Sequence, residues 1–148
     1  MREPNPNFWQ RRRVFVTGAT GLLGSHMVES LLGMGAEVVA LVRDTVPRSL
    51  LVSSGLIDRI TVVHGDITDE AILRRILVDY EVQTTFHLAA MPLVTHAYSN
   101  PVEAFDTNVG GTVRLLEACR VYGACTEIVV AASDKAYGQQ EQLPYTEA

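Results

Sequence analysis

Short apolar runs alternate with longer segments of three-to-four periodicity along almost the whole chain, and few architectures accommodate that pattern. Residues 13–17, 37–42, 59–64, 84–88 and 127–132 read as strands whose apolar side chains fall on both faces. After the first strand, Leu23, Met27, Leu31 and Met34 recur at helical spacing, and Gly33 and Gly35 end the stripe. Residues 45–55 form a polar connection with room for one helical turn. Over 68–80, Leu73, Ile76, Leu77 and Tyr80 share a face. The clearest helix start follows the fourth strand: Asn100 can cap, Pro101 suits the first helical position, and Glu103 can reach back to the cap nitrogen. Val102, Phe105, Val109, Val113 and Leu116 then line one face down to about Tyr122. Strands apolar on both faces need cover on both faces. The expected fold is therefore α/β, a parallel sheet with helices on each side, burying Val14, Phe15, Val16, Val38, Val39, Ile128, Val129 and Val130.

Composition narrows what such a domain can do. The 148 residues are 47% hydrophobic and 20% charged, enough for one domain with one sizeable core. A net charge of -5 is a poor basis for holding a polyanion through counterion release, so no nucleic acid is expected as a partner. The longest apolar runs, such as 128–132, fall far short of the roughly 20 residues that cross a bilayer, so no membrane is expected either. Arg11-Arg12-Arg13 lead into a strand and a glycine turn rather than an apolar targeting segment, which points to the cytoplasm. Cys119 and Cys125 have no partners at metal-ligand spacing, so they read as free structural thiols and no metal site is expected. Residues 1–10, rich in proline and asparagine, read as a loose arm, and 11–148 as the folded domain.

Gly18, Gly21 and Gly24 stand at Gly-x-x-Gly-x-x-Gly spacing between the first strand and its helix. Glycine suits such a turn where the backbone must bend tightly, approach a pyrophosphate and let helix pack on strand, and the helix start then offers free amides to the phosphates. The plainer alternative is a tight turn that merely starts a helix. The position in the first strand-helix unit of an alternating chain favours a dinucleotide. At the end of the second strand, where a carboxylate would take ribose hydroxyls and an arginine a 2′-phosphate, the chain offers Val42, Arg43 and Asp44. Arginine there tilts toward NADP and Asp44 toward NAD. Asp66 ends the third strand, where its carboxylate could meet the adenine amino group or simply start the next helix.

Four stretches give the chain a family resemblance: Thr17-Gly18-Ala19-Thr20-Gly21-Leu22-Leu23-Gly24, Gly65-Asp66-Ile67-Thr68-Asp69, His87-Leu88-Ala89-Ala90, and Asn108-Val109-Gly110-Gly111-Thr112 leading to Leu116-Glu117-Ala118. In this order they resemble the extended short-chain dehydrogenase/reductase family, the nucleotide-sugar epimerases and dehydratases. Phe8-Trp9, Ala89-Ala90-Met91-Pro92-Leu93-Val94 and Ser133-Asp134-Lys135 are similar to the versions found in its CDP-glucose 4,6-dehydratase subfamily. The resemblance implies a Rossmann-like doubly wound sheet of strand order 3-2-1-4-5, with NAD as cofactor, NADP being the alternative, and a nucleotide-diphosphate sugar as substrate. It places the cofactor against Gly18, Thr20, Gly21, Leu22, Leu23, Gly24, Arg43, Asp44, Asp66, Ile67, Leu88, Ala89 and Ala90, with Asn108 hydrogen-bonding near the active site.

The same resemblance implies the catalytic set. Ser133 matches the hydroxyl that hydrogen-bonds the sugar C4 oxygen, Asp134 an acid at C6, and Lys135 a base at C5. Lys135 is the only lysine among twelve basic residues, at a position where a deprotonable cation is useful and arginine is not. Simple epimerases of the family carry uncharged residues at these last two places. The family's Tyr-x-x-x-Lys has no counterpart among the tyrosines at 80, 98, 122, 137 and 145. The chain is accordingly expected to be the N-terminal half of a longer enzyme, a homodimer at full length, with the C-terminal sugar-nucleotide domain absent and no turnover by these residues alone. The expected activity is 4,6-dehydration of a CDP-glucose-type sugar, the alternatives being an epimerase or reductase of the family and a non-catalytic dinucleotide-binding module.

Overall fold

The structure, a computed structural model, describes residues 6–138. In chain order it contains α1 (Pro6–Trp9), β1 (Arg13–Thr17), α2 (Leu22–Gly33), β2 (Glu37–Val42), α3 (Leu50–Ser53), β3 (Thr61–His64), α4 (Glu70–Asp79), β4 (Thr84–His87), α5 (Val94–Ser99), α6 (Pro101–Phe105), α7 (Gly111–Tyr122) and β5 (Glu127–Val130). A π-helical turn, Asp106–Gly110, joins α6 to α7, and a 3-10 turn, Asp134–Tyr137, follows β5. The five strands form one parallel sheet, as the alternation of the sequence predicts, in the order β3-β2-β1-β4-β5 expected from the family resemblance. No described helix is long and apolar enough to cross a membrane.

Because successive strand residues point to opposite faces, β1 and β2 feed two cores. Val14, Val16, Val38, Ala40 and Val42 pack on one face with Val28 and Leu31 of α2 and Leu51 of α3. Phe15, Val39 and Leu41 pack on the other with Leu73, Ile76 and Leu77 of α4 and Leu115, Ala118 and Cys119 of α7. Each large side chain so enclosed contributes about 1.5–3 kcal/mol. Asp69 starts α4 by accepting hydrogen bonds from the amides of Ala71 and Ile72, at 3.0 and 3.2 Å.

Several expectations need correction. Ile128, Val129 and Val130 are not buried but 37–49% exposed. β5 is the last strand of the sheet, and consecutive exposed residues mean that neither face of it is covered by the described residues. In α2 the buried residues are Gly24, Ser25, Val28 and Leu31; of the predicted stripe Leu31 is buried and Met27 and Met34 pack partly buried on the core, but Leu23 is 59% exposed. The physical reason is Gly24: a Cβ there would lie 2.1 Å from the Gly18 carbonyl oxygen, so this side of the helix, not that of Leu23, sits against the turn. The long helix turns the same way. Val102, Phe105, Val109, Val113 and Leu116 face solvent, and Ala104, Thr107, Gly111, Leu115, Ala118 and Cys119 face inward. A Cβ at Gly111 would meet the Ile67 side chain at 2.8 Å, so small residues occupy the close approach and the bulky ones are left outside.

Asn100 does not cap through its side chain. It ends α5, a helix the sequence pattern does not announce, and its amide donates back to the His96 carbonyl at 3.3 Å. The expected loose arm falls partly outside the described residues. Its described part forms α1, with Trp9 against Phe86 at a ring separation of 5.9 Å. There the Arg12 guanidinium stacks 4.2 Å from the Phe8 ring and pairs with Glu127 of β5.

Candidate functional site

A cavity of about 490 Å³ opens at the carboxyl ends of the strands, where Thr17, Leu41, Gly65, Leu88 and Ala131 end or follow β1 to β5. Chain order reverses here, since β1 lies between β2 and β4, and in open parallel sheets that crevice is where ligands bind. Of the residues singled out from the sequence, Gly18, Thr20, Gly21, Leu22, Leu23, Gly24, Arg43, Asp44, Asp66, Ile67, Leu88, Ala89 and Ala90 all line it.

The three glycines answer three different demands. Gly18 has a φ of +72°, and a Cβ on it would lie 2.6 Å from the Leu88 carbonyl and the Ala89 nitrogen. It must both turn left-handed and let the segment after β4 pass. Gly24 admits the helix to the turn. Gly21 closes the turn by donating to the Gly18 carbonyl at 3.0 Å, and a Cβ on it would touch only that carbonyl, at 3.2 Å. Gly21 also precedes α2 with no side chain to cap it, so the first amides of the helix remain available to an anion.

The other end of the cavity is charged. Arg43 Nε donates to Asp44 Oδ2 at 2.6 Å, and its Nη1 lies 3.9 Å from Asp66 Oδ2. The hydrogen bond to Asp44, against some burial, raises the Arg43 pKa above its ordinary value. Asp66 is pushed up by partial burial, but hydrogen bonds from the Thr68 amide and hydroxyl, at 2.9 and 2.7 Å, together with Arg43 hold its carboxyl below the usual range. The α4 cap is Asp69, which removes the helix-starting alternative for Asp66 and leaves its carboxylate in the cavity wall.

The remaining predicted site residues, Asn108 and Ser133 to Lys135, are not among the described lining residues. Asn108 sits in the π-helical turn and does not line the cavity; its side chain accepts from the Met91 amide at 2.7 Å and donates to the Met91 carbonyl at 3.3 Å. It grips the segment that forms the cavity wall. Ser133 lies just past Ala131, whose amide continues the ladder by donating to the His87 carbonyl at 3.0 Å. Asp134 and Lys135 begin the 3-10 turn that follows. The structure also brings forward Thr17, Thr107 and Pro92 as lining residues and His87 behind them. Spacing alone does not announce them. A threonine and a histidine, each the last residue of a strand in the alternating pattern and each nearly fully buried in the fold, are the signal that could have done so for Thr17 and His87.

Cys119 and Cys125 are both buried and free, with the Thr85 hydroxyl 3.2 Å from the Cys125 sulfur, away from the cavity lining.

A family model described as GDP-mannose 4,6 dehydratase matches residues 15–148. A CDP-glucose 4,6-dehydratase of Salmonella typhimurium is 44% identical over 137 residues, covering 91% of this chain and 38% of the relative. A UDP-glucose 4-epimerase of Klebsiella pneumoniae is 35% identical over 141 residues, covering 92% of this chain and 99% of the relative. Among solved structures, a UDP-glucose-4-epimerase from Stenotrophomonas maltophila, with bound NAD and formylated UDP-arabinopyranose, superposes with a TM-score of 0.78 at 28% identity, covering 92% of this chain and 41% of that one. The chain thus spans about two fifths of the length of the Salmonella enzyme and of this solved structure.

Proposed function

Because the chain belongs to the extended short-chain dehydrogenase/reductase family of sugar-nucleotide epimerases and dehydratases, we propose that it forms the NAD-binding part of a nucleotide-sugar 4,6-dehydratase acting on a CDP-glucose-type substrate. The observation that carries the cofactor half of this reading is the glycine cradle: side chains at Gly18 and Gly24 have no room, and the uncapped start of α2 faces the cavity. Gly18 to Gly24 would hold the pyrophosphate, Asp44 the ribose hydroxyls and Asp66 the adenine. Arg43 supports NAD over NADP, because its charge is already shared by two carboxylates that a 2′-phosphate would also meet.

Bound nicotinamide supplies reversible oxidation of the sugar at C4. The remaining work is proton management by the chain. Ser133 hydrogen-bonds the C4 oxygen, Lys135 takes the C5 proton that a neighbouring carbonyl makes acidic, and Asp134 protonates the departing C6 hydroxyl. A lysine performs that role once burial or cationic neighbours lower its pKa. An epimerase has no elimination step and no use for the last two residues. The epimerase reading has its own support in the several epimerases among the relatives, the Klebsiella one being matched over 99% of its length. Incubating the complete gene product with CDP-glucose and NAD separates the two: a 4-keto-6-deoxy product, read by its absorbance in alkali, is expected, and a C4-epimerised sugar without it would overturn the dehydratase reading.

The proposed partner of the outer face of α6 and α7 is a second copy of the protein. Val102, 82% exposed, and Phe105, 68% exposed, continue into Val109, Val113 and Leu116, an apolar stripe of the kind that marks an association surface.

A further inference from the structure

His87 is the last residue of β4 and is almost wholly buried, with a hydroxyl at each ring nitrogen. Nδ1 lies 2.7 Å from Thr17 Oγ1, and Nε2 lies 2.9 Å from Thr112 Oγ1. The neighbours settle where the protons are. Thr17 Oγ1 accepts from the amides of Leu88 and Ala89, both at 3.2 Å, which occupies its lone pairs. Its one hydrogen is left for His87, so Nδ1 must be the acceptor. The ring proton then sits on Nε2 and is donated to Thr112 Oγ1, whose own hydrogen goes to the Asn108 carbonyl at 2.7 Å. A proton on Nδ1 would face a hydroxyl oxygen already filled by two amides.

This chain of bonds joins the two anchors of one wall. Leu88, Ala89, Ala90 and Pro92 line the cavity. The segment is tied at its start by Thr17 Oγ1 and at its end by the Asn108 side chain on Met91. It also runs so close to Gly18 that no Cβ fits between them, so its position and that of the glycine turn are set together. His87 bonds to the first anchor directly and reaches the second through Thr112.

We infer that His87 is a positioning residue of the dinucleotide site: a neutral imidazole protonated at Nε2 alone, which couples the Thr17 and Asn108 anchors and thereby fixes the 88–92 wall. The inference rests on the dinucleotide reading above, and burial of the ring, which lowers the His87 pKa, acts in the same direction. The groups bonded to the ring are hydroxyls, so nothing there favours the imidazolium.

The first test uses the unmodified 148-residue chain with 15N-labelled histidine. Long-range proton-nitrogen spectra should show His87 as the Nε2–H tautomer, unchanged between about pH 5.5 and 8, around the ordinary histidine pKa. An Nδ1–H pattern, or titration within that range, overturns the inference. The second test compares His87→Phe with His87→Asn, which keeps an acceptor toward Thr17. The phenylalanine variant should speed hydrogen exchange of the Ala89 and Met91 amides ahead of the rest of the sheet and weaken NAD binding at least about fivefold, and the asparagine variant should restore protection at Ala89. Uniform loosening of the whole sheet, or no change at these two amides, counts against a positioning role. Should His87→Phe fail to fold, the tautomer in the unmodified chain decides. If the unmodified chain binds no NAD, the dinucleotide reading fails by itself, while the tautomer and exchange patterns still judge the clamp.

Discussion

Replacing Gly18 by alanine isolates the cost of the close pass between the glycine turn and the segment after β4. Two penalties combine. An L-residue at a φ of +72° is strained by about 1–2 kcal/mol. The new Cβ would also lie 2.6 Å from the backbone atoms of Leu88 and Ala89, and overpacking against backbone costs about 1–3 kcal/mol. Gly55 provides the internal control, since it has the same φ of +72° with nothing within 4 Å of a built Cβ. Gly55→Ala therefore carries the strain alone, and Gly18→Ala should be destabilised by about 2–5 kcal/mol in all. In urea titrations followed by circular dichroism, with a mid-range slope of about 2 kcal/mol per molar, the Gly18→Ala midpoint should fall by about 1–2.5 M and that of Gly55→Ala by clearly less. Equal midpoints for the two variants would show that the 88–92 segment yields freely, and would refute the rigid pairing of turn and wall on which the site geometry depends.

Gly21→Val should abolish NAD binding in calorimetry while costing far less stability than Gly18→Ala, because its Cβ touches only one carbonyl at 3.2 Å; retained affinity would mean that no phosphate approaches there. In the complete protein, Lys135→Met should permit transient reduced cofactor but eliminate exchange of the C5 proton with deuterated solvent, and Asp134→Asn should slow loss of the C6 hydroxyl by roughly 10²- to 10⁴-fold. Normal C5 exchange in the lysine variant would return the pair to a solvated turn. Burial lowers the His87 pKa below its unfolded value, so its contribution is fully present above the ordinary histidine pKa and is lost as pH falls below that value toward the folded one. Denaturation midpoints should accordingly drop from pH 7.5 to 5.5, at a slope of at most about 1.4 kcal/mol per pH unit for this residue, and His87→Asn should flatten the trend. Phe105→Lys should convert a dimer of the complete protein to monomer in sedimentation, and a monomeric unmodified protein would remove the proposed second copy.

Strand positions and the glycine turn were legible in the sequence because each depends on short-range constraints, whereas the strand order was legible only through the family resemblance. A run apolar on both faces reads as a parallel strand, and glycine at intervals of three between strand and helix answers a local need of the backbone. The same holds for the residues that line the cavity, since the carboxyl ends of the strands follow directly from the strand boundaries. What tertiary structure alone decided are relations between distant parts of the chain. Which side of α2 and of α6–α7 faces inward depends on how closely Gly24 meets Gly18 and Gly111 meets Ile67, and an apolar stripe carries no label saying whether it meets the core or another surface. β5 resembles the inner strands in composition, yet its side chains are exposed because no described element covers its faces. That Asp66 stands beside Arg43, and that the Asn108 side chain is bonded to Met91, likewise emerges only in the folded chain. The tautomer of His87 is the furthest from the sequence of all, because it is set by hydrogen bonds to Thr17 and Thr112, residues 70 and 25 positions away.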